Sequence, residues 1–479
     1  MSKPLLRCTP EEAGLASRHV AAFADALEGM GLAMHSMMIL RHGRVLAEGY
    51  WAPFTSERRH RLYSCSKSFV SIAIGFMIDE GLLAPDDHVV TFFPDKLPEG
   101  GAHPYIEEAT VRHLLMMASP HTNTAYMQLP MADWTKAFFH CPPTHRPGSV
   151  FSYDTSATHT LTAIIERLSG ETLPDYLWPR LLAPIGAGRV DCIKDPVGTS
   201  WGGSGILCTP ADFARVALCC MNNGRFDGRQ VIPEWYIKEA TSKQIDTFMH
   251  GRTPDTMQGY GYQFWRLRHN AFAFIGMGGQ LAVCVPDADL LVVLTGDDQW
   301  QSMQYIAQFN AVWEHLLANL SGEALPPDAD AARALAARLS NLALPFLAGQ
   351  TVSATAARVH NVLYKLDMDC NGFTDVRFRF AADGGCMVLY NESGAHELAF
   401  GLGRNVFSRL PLDGYECAAS AAWDDCGCLL IQCFVVDDYC ATARITVRFD
   451  GAHVTLFMQK AAEMFMDAFE GCVSGTARE

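Results

Sequence analysis

Residues 36–51, SMMILRHGRVLAEGYW, set two short apolar runs on either side of His42-Gly43, a pattern that predicts a β-hairpin. A second hairpin is predicted far downstream, where GQLAVCVPDADLLVVLTG places two strand-like runs around the turn residues Pro286 to Asp289. Between the two hairpins the apolar positions follow a helical period, so the simplest arrangement is one antiparallel sheet built from both ends of a domain, with helices inserted between them. Residues 64–80 are apolar on nearly every side and are followed by Gly81, which predicts a helix buried in the core and closed by a glycine cap. After Pro326-Pro327 comes an Ala-rich helical stretch that reads as a linker. Beyond residue 350 the period becomes two. Val376, Phe378 and Phe380 alternate with Arg377 and Arg379, and Ile445, Val447 and Phe449 precede an Asp450-Gly451 turn that Val454, Leu456 and Met458 follow.

The chain therefore reads as α+β over residues 1–320, a linker over 321–349 and an all-β barrel or sandwich, lipocalin-like in scale, over 350–479. A length of 479 residues supports two cores. Hydrophobic residues make up 49% and charged residues 19%, the balance of a folded globular protein. The net charge of -15 repels phosphate backbones and anionic lipid, so neither nucleic acid nor a membrane surface is an expected partner. Sixteen scattered cysteines, several inside apolar runs such as VALCCMNN, fit buried free thiols in a reducing compartment. Cys426 and Cys428 have no second pair at a ligand-like spacing, the seventeen histidines form no H-E-x-x-H, and no metal or other cofactor is expected. The first residues, MSKPLLRCTPEEAGL, contain no signal-peptide apolar segment, which gives a cytoplasmic expectation.

The candidate chemistry sits at the start of the buried helix. Ser64 and Lys67 are three apart and share a helix face, with Cβ atoms roughly 5 to 6 Å apart. A lysine held among apolar groups beside the positive helix end is pushed towards its neutral amine, which can accept a serine proton. Lowering it from about 10.4 to about 7.5 costs roughly 4 kcal/mol, a strain that a merely structural site seldom keeps. The other reading is that Ser64 caps the helix and Lys67 reaches to water, and S-x-x-K spacing alone does not decide between the two. Two further elements bear on it. In RPGSVFSYDTSATHTLTAIIERLSG, Tyr153 precedes an amphipathic helix; it is either a packed aromatic or, near a lysine that favours its phenolate, a general base. In FAFIGMGGQLAVCVP, glycines 276, 278 and 279 allow close backbone approach, and the N–H of Met277 is either an oxyanion donor or part of an ordinary strand-entry bulge.

Taken in order, SCSK, YDT and FIG followed by Met277 resemble the serine β-lactamase and penicillin-binding-protein family, most closely its class C-like β-lactamase, family VIII-type esterase and D-aminopeptidase branch. TVRHLLMMASPH and GGSGILCTPADFARVALCCMNNGRFDGRQVIP resemble the same family, and the likeness covers about residues 10–320. It implies a β-lactamase/transpeptidase-like antiparallel sheet flanked by helices. It also implies Ser64 as the acylated nucleophile, Lys67 as its proton partner, Tyr153 as the base that later activates water, and the N–H groups of Ser64 and Met277 as the oxyanion hole. By the same correspondence Thr155, Phe274, Ile275 and Gly276 line the substrate site. Thr155 stands where the branch carries an amide side chain, and Phe274-Ile275 where it carries cationic and hydroxyl residues, so an uncharged ester or amide is expected in preference to a penicillin. The leading expectation is a serine hydrolase of carboxylesterase or amidase type. A D-aminopeptidase or β-lactamase-type amidase is the second, and a catalytically silent binding protein the third. An α/β-hydrolase triad is discounted because no G-x-S-x-G elbow occurs. The C-terminal β domain is open to three roles: covering the pocket, self-association into a homo-oligomer, or stabilising the fold.

Overall fold

The computed structural model describes residues 4–301 and 303–478. The chain divides into two compact units, Met1–Gly296 with Met303–Leu342, and Asp297–Ser302 with Ala343–Glu479.

The first unit is organised on a six-stranded antiparallel sheet. The early hairpin, Met34–Arg41 and Arg44–Tyr50, turns through His42 and Gly43 at positive φ, as its sequence requires. The late hairpin, Gln280–Val285 and Leu290–Gly296, turns at Asp289 with φ 50°. The two hairpins meet in the middle of the sheet, with Met37 opposite Leu294 and Ile39 opposite Val292. Strand Phe272–Gly276 pairs outside Gln280–Val285, so that Gly276 faces Gln280.

Every residue of Met34–Arg41 and of Leu290–Gly296 is buried, because the sheet is covered on both faces. One face packs Met37, Ile39, Val283 and Val292 against helix Ser17–Gly29 and the helix Gln304–Ala311. The other packs Met38, Leu40, Phe274 and Val293 against helices Ser66–Asp79 and Pro210–Met221, at the base of the inserted helical region.

The expected linker is corrected by the structure. Helix Ala329–Ser340 is capped by Asp328 and buries Leu335, while Leu342 is buried beside it, both in the first unit's core. Arg338 pairs with Asp25 at 2.7 Å and also with Glu28. The Ala-rich composition gives a helix, but its leucine stripe has an apolar surface to cover, so the segment docks and the division falls after Leu342.

The second unit is a closed nine-stranded barrel. Nine strands follow one another by antiparallel pairing, and closure comes where Gly394–Leu402 runs parallel to Glu416–Trp423 at Gly401–Ser420 and Leu402–Ala421. The short strand Val406–Arg409 lies outside that ring, on the edge of Glu416–Trp423. The predicted alternation holds, with Val376, Phe378, Ile445, Val447, Val454 and Leu456 buried and Arg379 exposed. Tyr364, Phe378, Phe400, Trp423 and Phe449 pack together in the barrel's core. The short segment Asp297–Ser302 clusters with this barrel: Asp297 accepts from Thr442, and Gln299 donates to the Ala461 carbonyl at 3.2 Å. All sixteen cysteines are free thiols, ten of them buried. No helix among the described residues is long and apolar enough to cross a membrane.

Two buried histidines give the first unit an acid sensitivity. His35 stacks on Phe54 with ring centroids 3.7 Å apart, and His60 lies 5.4 Å from each of them. Burial holds His35 well below the usual imidazole range and holds His60 at about 4. The unfolded imidazole takes its proton near 6.5, so between about pH 6.5 and 4 the unfolded chain binds more protons and stability falls as pH falls. His60 alone accounts for about 3 kcal/mol of that loss over the full window. Denaturant unfolding at pH 7 and pH 4.5 should show a steep decline in the wild type and a shallower one in His60→Phe. Equal declines would remove His60 from the account.

Candidate functional site

Ser64 lies on a 3₁₀ turn, Tyr63–Cys65, that leads into helix Ser66–Asp79, so the regular helix begins two residues later than its sequence suggests. The turn is held open by Tyr63, a non-glycine residue at φ 48°, a conformation that costs about 1 kcal/mol or more. Tyr63 is itself buried, with the Arg61 guanidinium 4.3 Å from its ring centroid. Arg61 also lies over Trp201 at 4.7 Å and donates to the Ser204 carbonyl at 2.9 Å, fixing the segment that precedes Ser64. The result is a half-buried hydroxyl at the lip of a closed core.

Lys67 is 1% exposed. Its Nζ donates to Ser64 Oγ at 2.9 Å and to the Gly203 carbonyl at 2.6 Å, and stands 5.0 Å from the centroid of the Tyr153 ring. The Tyr153 phenol lies near enough to the Ser64 hydroxyl for that group to favour its ionised form. Alcohol, amine and phenol therefore converge from residues 64, 67 and 153. Burial pushes the Tyr153 phenol above its ordinary range, and the Ser64 hydroxyl opposes this only in part. Burial thus acts against the phenolate that a neighbouring cation was expected to favour.

Tyr153 is placed by its neighbours on both sides. Asp154 is fully buried and caps helix Thr155–Ser169, accepting from Ser156 N at 2.8 Å and from Ser119 Oγ at 2.8 Å. Burial pushes its carboxyl up. On its outer side the Tyr153 ring stacks on Trp265, 5.9 Å away and 20° from parallel, beside Phe151 and Tyr260.

Glycines bring the remaining elements close. A Cβ on Gly276 would stand 2.2 Å from the Leu62 carbonyl and 3.1 Å from Cys65 Sγ, so the end of this strand abuts the turn that carries Ser64. Met277 follows at half exposure, ahead of Gly278 and Gly279 at φ 78° and 90°. Gly276→Ala should force the strand away from the turn, lowering stability by about 1 to 3 kcal/mol and suppressing covalent labelling of Ser64. Full labelling by intact mass at unchanged Tm would refute this close approach.

The remaining expected substrate residues divide. Thr155 is half-buried at the start of its helix, with its N–H donating to Thr124 Oγ1 at 3.3 Å. Phe274 does not line the site: it is 1% exposed and packs on Phe69, Phe213 and Phe264. Ile275 packs towards the opposite face of the sheet. A strand alternates sides, and Gly276 already occupies the position against the Ser64 turn, so the two residues before it are committed to the cores.

Three contributors were not anticipated. Asp154 had a signal in the Asp-Thr-Ser at a helix start. Gly203 supplies Lys67's carbonyl partner, and a Cβ there would meet Thr155 Cγ2 at 2.6 Å; its signal was the double glycine of WGGSGIL. Trp265 had none, since its contact with Tyr153 is purely tertiary.

The Beta-lactamase family profile matches residues 18–302. The chain is 28% identical over 286 residues to a 6-aminohexanoate-dimer hydrolase of Paenarthrobacter ureafaciens, covering 54% of this chain and 71% of that one. It is 26% identical over 204 residues to Esterase EstB of Burkholderia gladioli, covering 37% and 51%. Among solved structures, a putative 6-aminohexanoate-dimer hydrolase from Bacillus anthracis shares the fold at TM-score 0.56 and 18% identity, over 67% of this chain and 89% of that one. SurE shares it at TM-score 0.52 and 17% identity, over 87% and 96%. With a profile match over more than half its length, the chain belongs to the beta-lactamase family.

Proposed function

We propose that the protein is a serine hydrolase that cleaves a small uncharged ester or amide through an acyl-enzyme on Ser64. The observation that carries the reading is the 2.9 Å contact of a 1% exposed Lys67 with a half-exposed Ser64 whose hydroxyl also meets Tyr153. In the reactive form Lys67 is a neutral amine that donates to Gly203 and turns its lone pair to Ser64. Ser64 Oγ bonds to the substrate carbonyl carbon as its proton passes to Lys67. The resulting oxyanion is met by the N–H groups of Ser64 and Met277. Collapse breaks the C–O or C–N bond, and the leaving group takes the Tyr153 proton, so a phenolate now faces an ammonium.

Water then attacks the acyl carbon and gives a proton to that phenolate. The C–Oγ bond breaks, Ser64 recovers its proton from Lys67, and both groups return to their starting forms. The burial that raises Tyr153 makes its phenolate a strong base at this step.

Substrate preference follows from what surrounds the hydroxyl. Tyr153 is flanked by Trp265, Phe151 and Tyr260, and the strand end at Gly276 brings no cationic side chain for a substrate carboxylate, its two preceding residues, Phe274 and Ile275, being apolar and turned into the cores. A charged hydrogen bond is worth about 1.5 to 3 kcal/mol, so its lack disfavours penicillins by roughly 10- to 100-fold relative to neutral esters. The named relatives include an amide hydrolase and an esterase, which keeps both bond types within the proposal. The test is intact-mass analysis after a fluorophosphonate and after a penicillin, with a panel of neutral aryl esters and aminoacyl amides. A fluorophosphonate adduct on Ser64 with ester turnover is expected. A penicillin adduct formed as readily would favour a β-lactamase-type amidase, and no adduct with either would favour a silent binding protein.

A further inference from the structure

The N–H assigned to the oxyanion hole belongs to the Gly276–Met277 peptide, and its surroundings are unusual. The turn that follows contains Gly278 and Gly279, both at positive φ, so the turn has little side-chain mass of its own to fix it. Two side chains hold it instead, one from a distant helix and one from the residue that closes the turn. The Tyr305 hydroxyl, on helix Gln304–Ala311, donates to the Gly276 carbonyl at 3.0 Å. Gln280, 1% exposed, donates through Nε2 to the Met277 carbonyl at 3.1 Å and to the Gly296 carbonyl at 2.7 Å. The Gln280 backbone carbonyl accepts from Cys65 Sγ at 3.2 Å, next to the nucleophile.

We infer that Tyr305 and Gln280 are positioning residues for the oxyanion donor. They grip the carbonyls on both sides of Met277 and so aim its N–H at the charge that forms on the substrate. The inference rests on the catalytic reading above. Tyr305 bonds the carbonyl of the very peptide whose N–H donates, which fixes the peptide plane and polarises the N–H in the same direction. Gln280 fixes the next peptide plane and ties it to the end of the central strand Leu290–Gly296, so the glycine turn cannot rotate without breaking a buried bond. Neither residue touches the substrate carbonyl in this account. Their effect appears only when negative charge develops there, hence in kcat and not in KM.

The test compares Tyr305→Phe and Gln280→Leu with the wild type on an aryl acetate and on its thionoacetate twin, in which C=S replaces C=O. Sulfur is a poor acceptor for a donor aimed at oxygen, so the thionoester reports everything except the oxyanion contact. Each variant should lower kcat for the oxygen ester by about 10-fold at unchanged KM, short of the roughly 10²- to 10³-fold cost of losing a donor outright. The thionoester rate should not move, so the oxygen-to-sulfur preference should contract by the same factor. Equal losses on both esters, or no loss on either, would overturn the inference alone. A wild type that takes no fluorophosphonate at Ser64 would overturn the catalytic reading and this inference with it. Tyr305→Phe removes only a hydroxyl from a half-buried residue, so it carries the test if Gln280→Leu folds poorly.

Discussion

Ser64→Ala should abolish turnover and leave the protein without any fluorophosphonate adduct, while its Tm stays close to that of the wild type. The hydroxyl combines a bonded amine, partial exposure and a neighbouring phenol. Loss of a serine nucleophile in such a set costs about 10⁶-fold in kcat, because the remaining members act only through it. Stability should hardly change, since Ser64 sits at the lip and the turn is fixed by Tyr63, Arg61 and the Cys65 thiol, which donates to the Gln280 carbonyl. The measurements are intact mass after labelling, steady-state hydrolysis of the best ester, and thermal unfolding. An adduct that survives in Ser64→Ala, carried by another residue, would sink the assignment of the nucleophile.

Lys67→Met should cost less activity than Ser64→Ala, though still a large factor, while sparing the fold. Methionine approximates the length of the lysine stem, so the buried channel beside Gly203 and Tyr153 stays filled. Ser64 then has no amine to accept its proton, and general-base loss of this kind costs about 10²- to 10⁴-fold in kcat. The stability change should be small because two effects oppose each other. The Gly203 carbonyl loses its donor, which costs about 1 to 3 kcal/mol, while an amine buried to 1% exposure no longer has to be kept out of water. Fluorophosphonate labelling should slow in proportion to kcat, with KM unchanged. A Lys67→Met protein that turns over at the wild-type rate would move the proton acceptor elsewhere, and Tyr153 would become the first candidate.

Local features of the chain were legible in the sequence because they depend on neighbours only a few residues away. The two hairpins follow from His42-Gly43 and from Pro286 to Asp289, the barrel strands from period-two alternation, and the Ser64–Lys67 contact from three-residue spacing at a helix start. Tertiary structure decided what local pattern leaves degenerate. Strand Phe272–Gly276 is apolar on both sides, so its sequence does not say which residues meet the nucleophile; the pairing with Gln280–Val285 turns Phe274 inward and brings Gly276 to Leu62. The Ala-rich helix reads as a spacer until its leucines find the core of the first unit. Whether the β domain closes into a barrel rests on two residue pairs, Gly401–Ser420 and Leu402–Ala421, that no periodicity announces. The upward push on the Tyr153 phenol belongs to the same class, since the burial that causes it comes from residues distant in sequence. Spacing and periodicity encode short-range geometry, whereas burial, register and the meeting of residues 64 and 67 with 153 depend on which long-range packing has the lowest free energy.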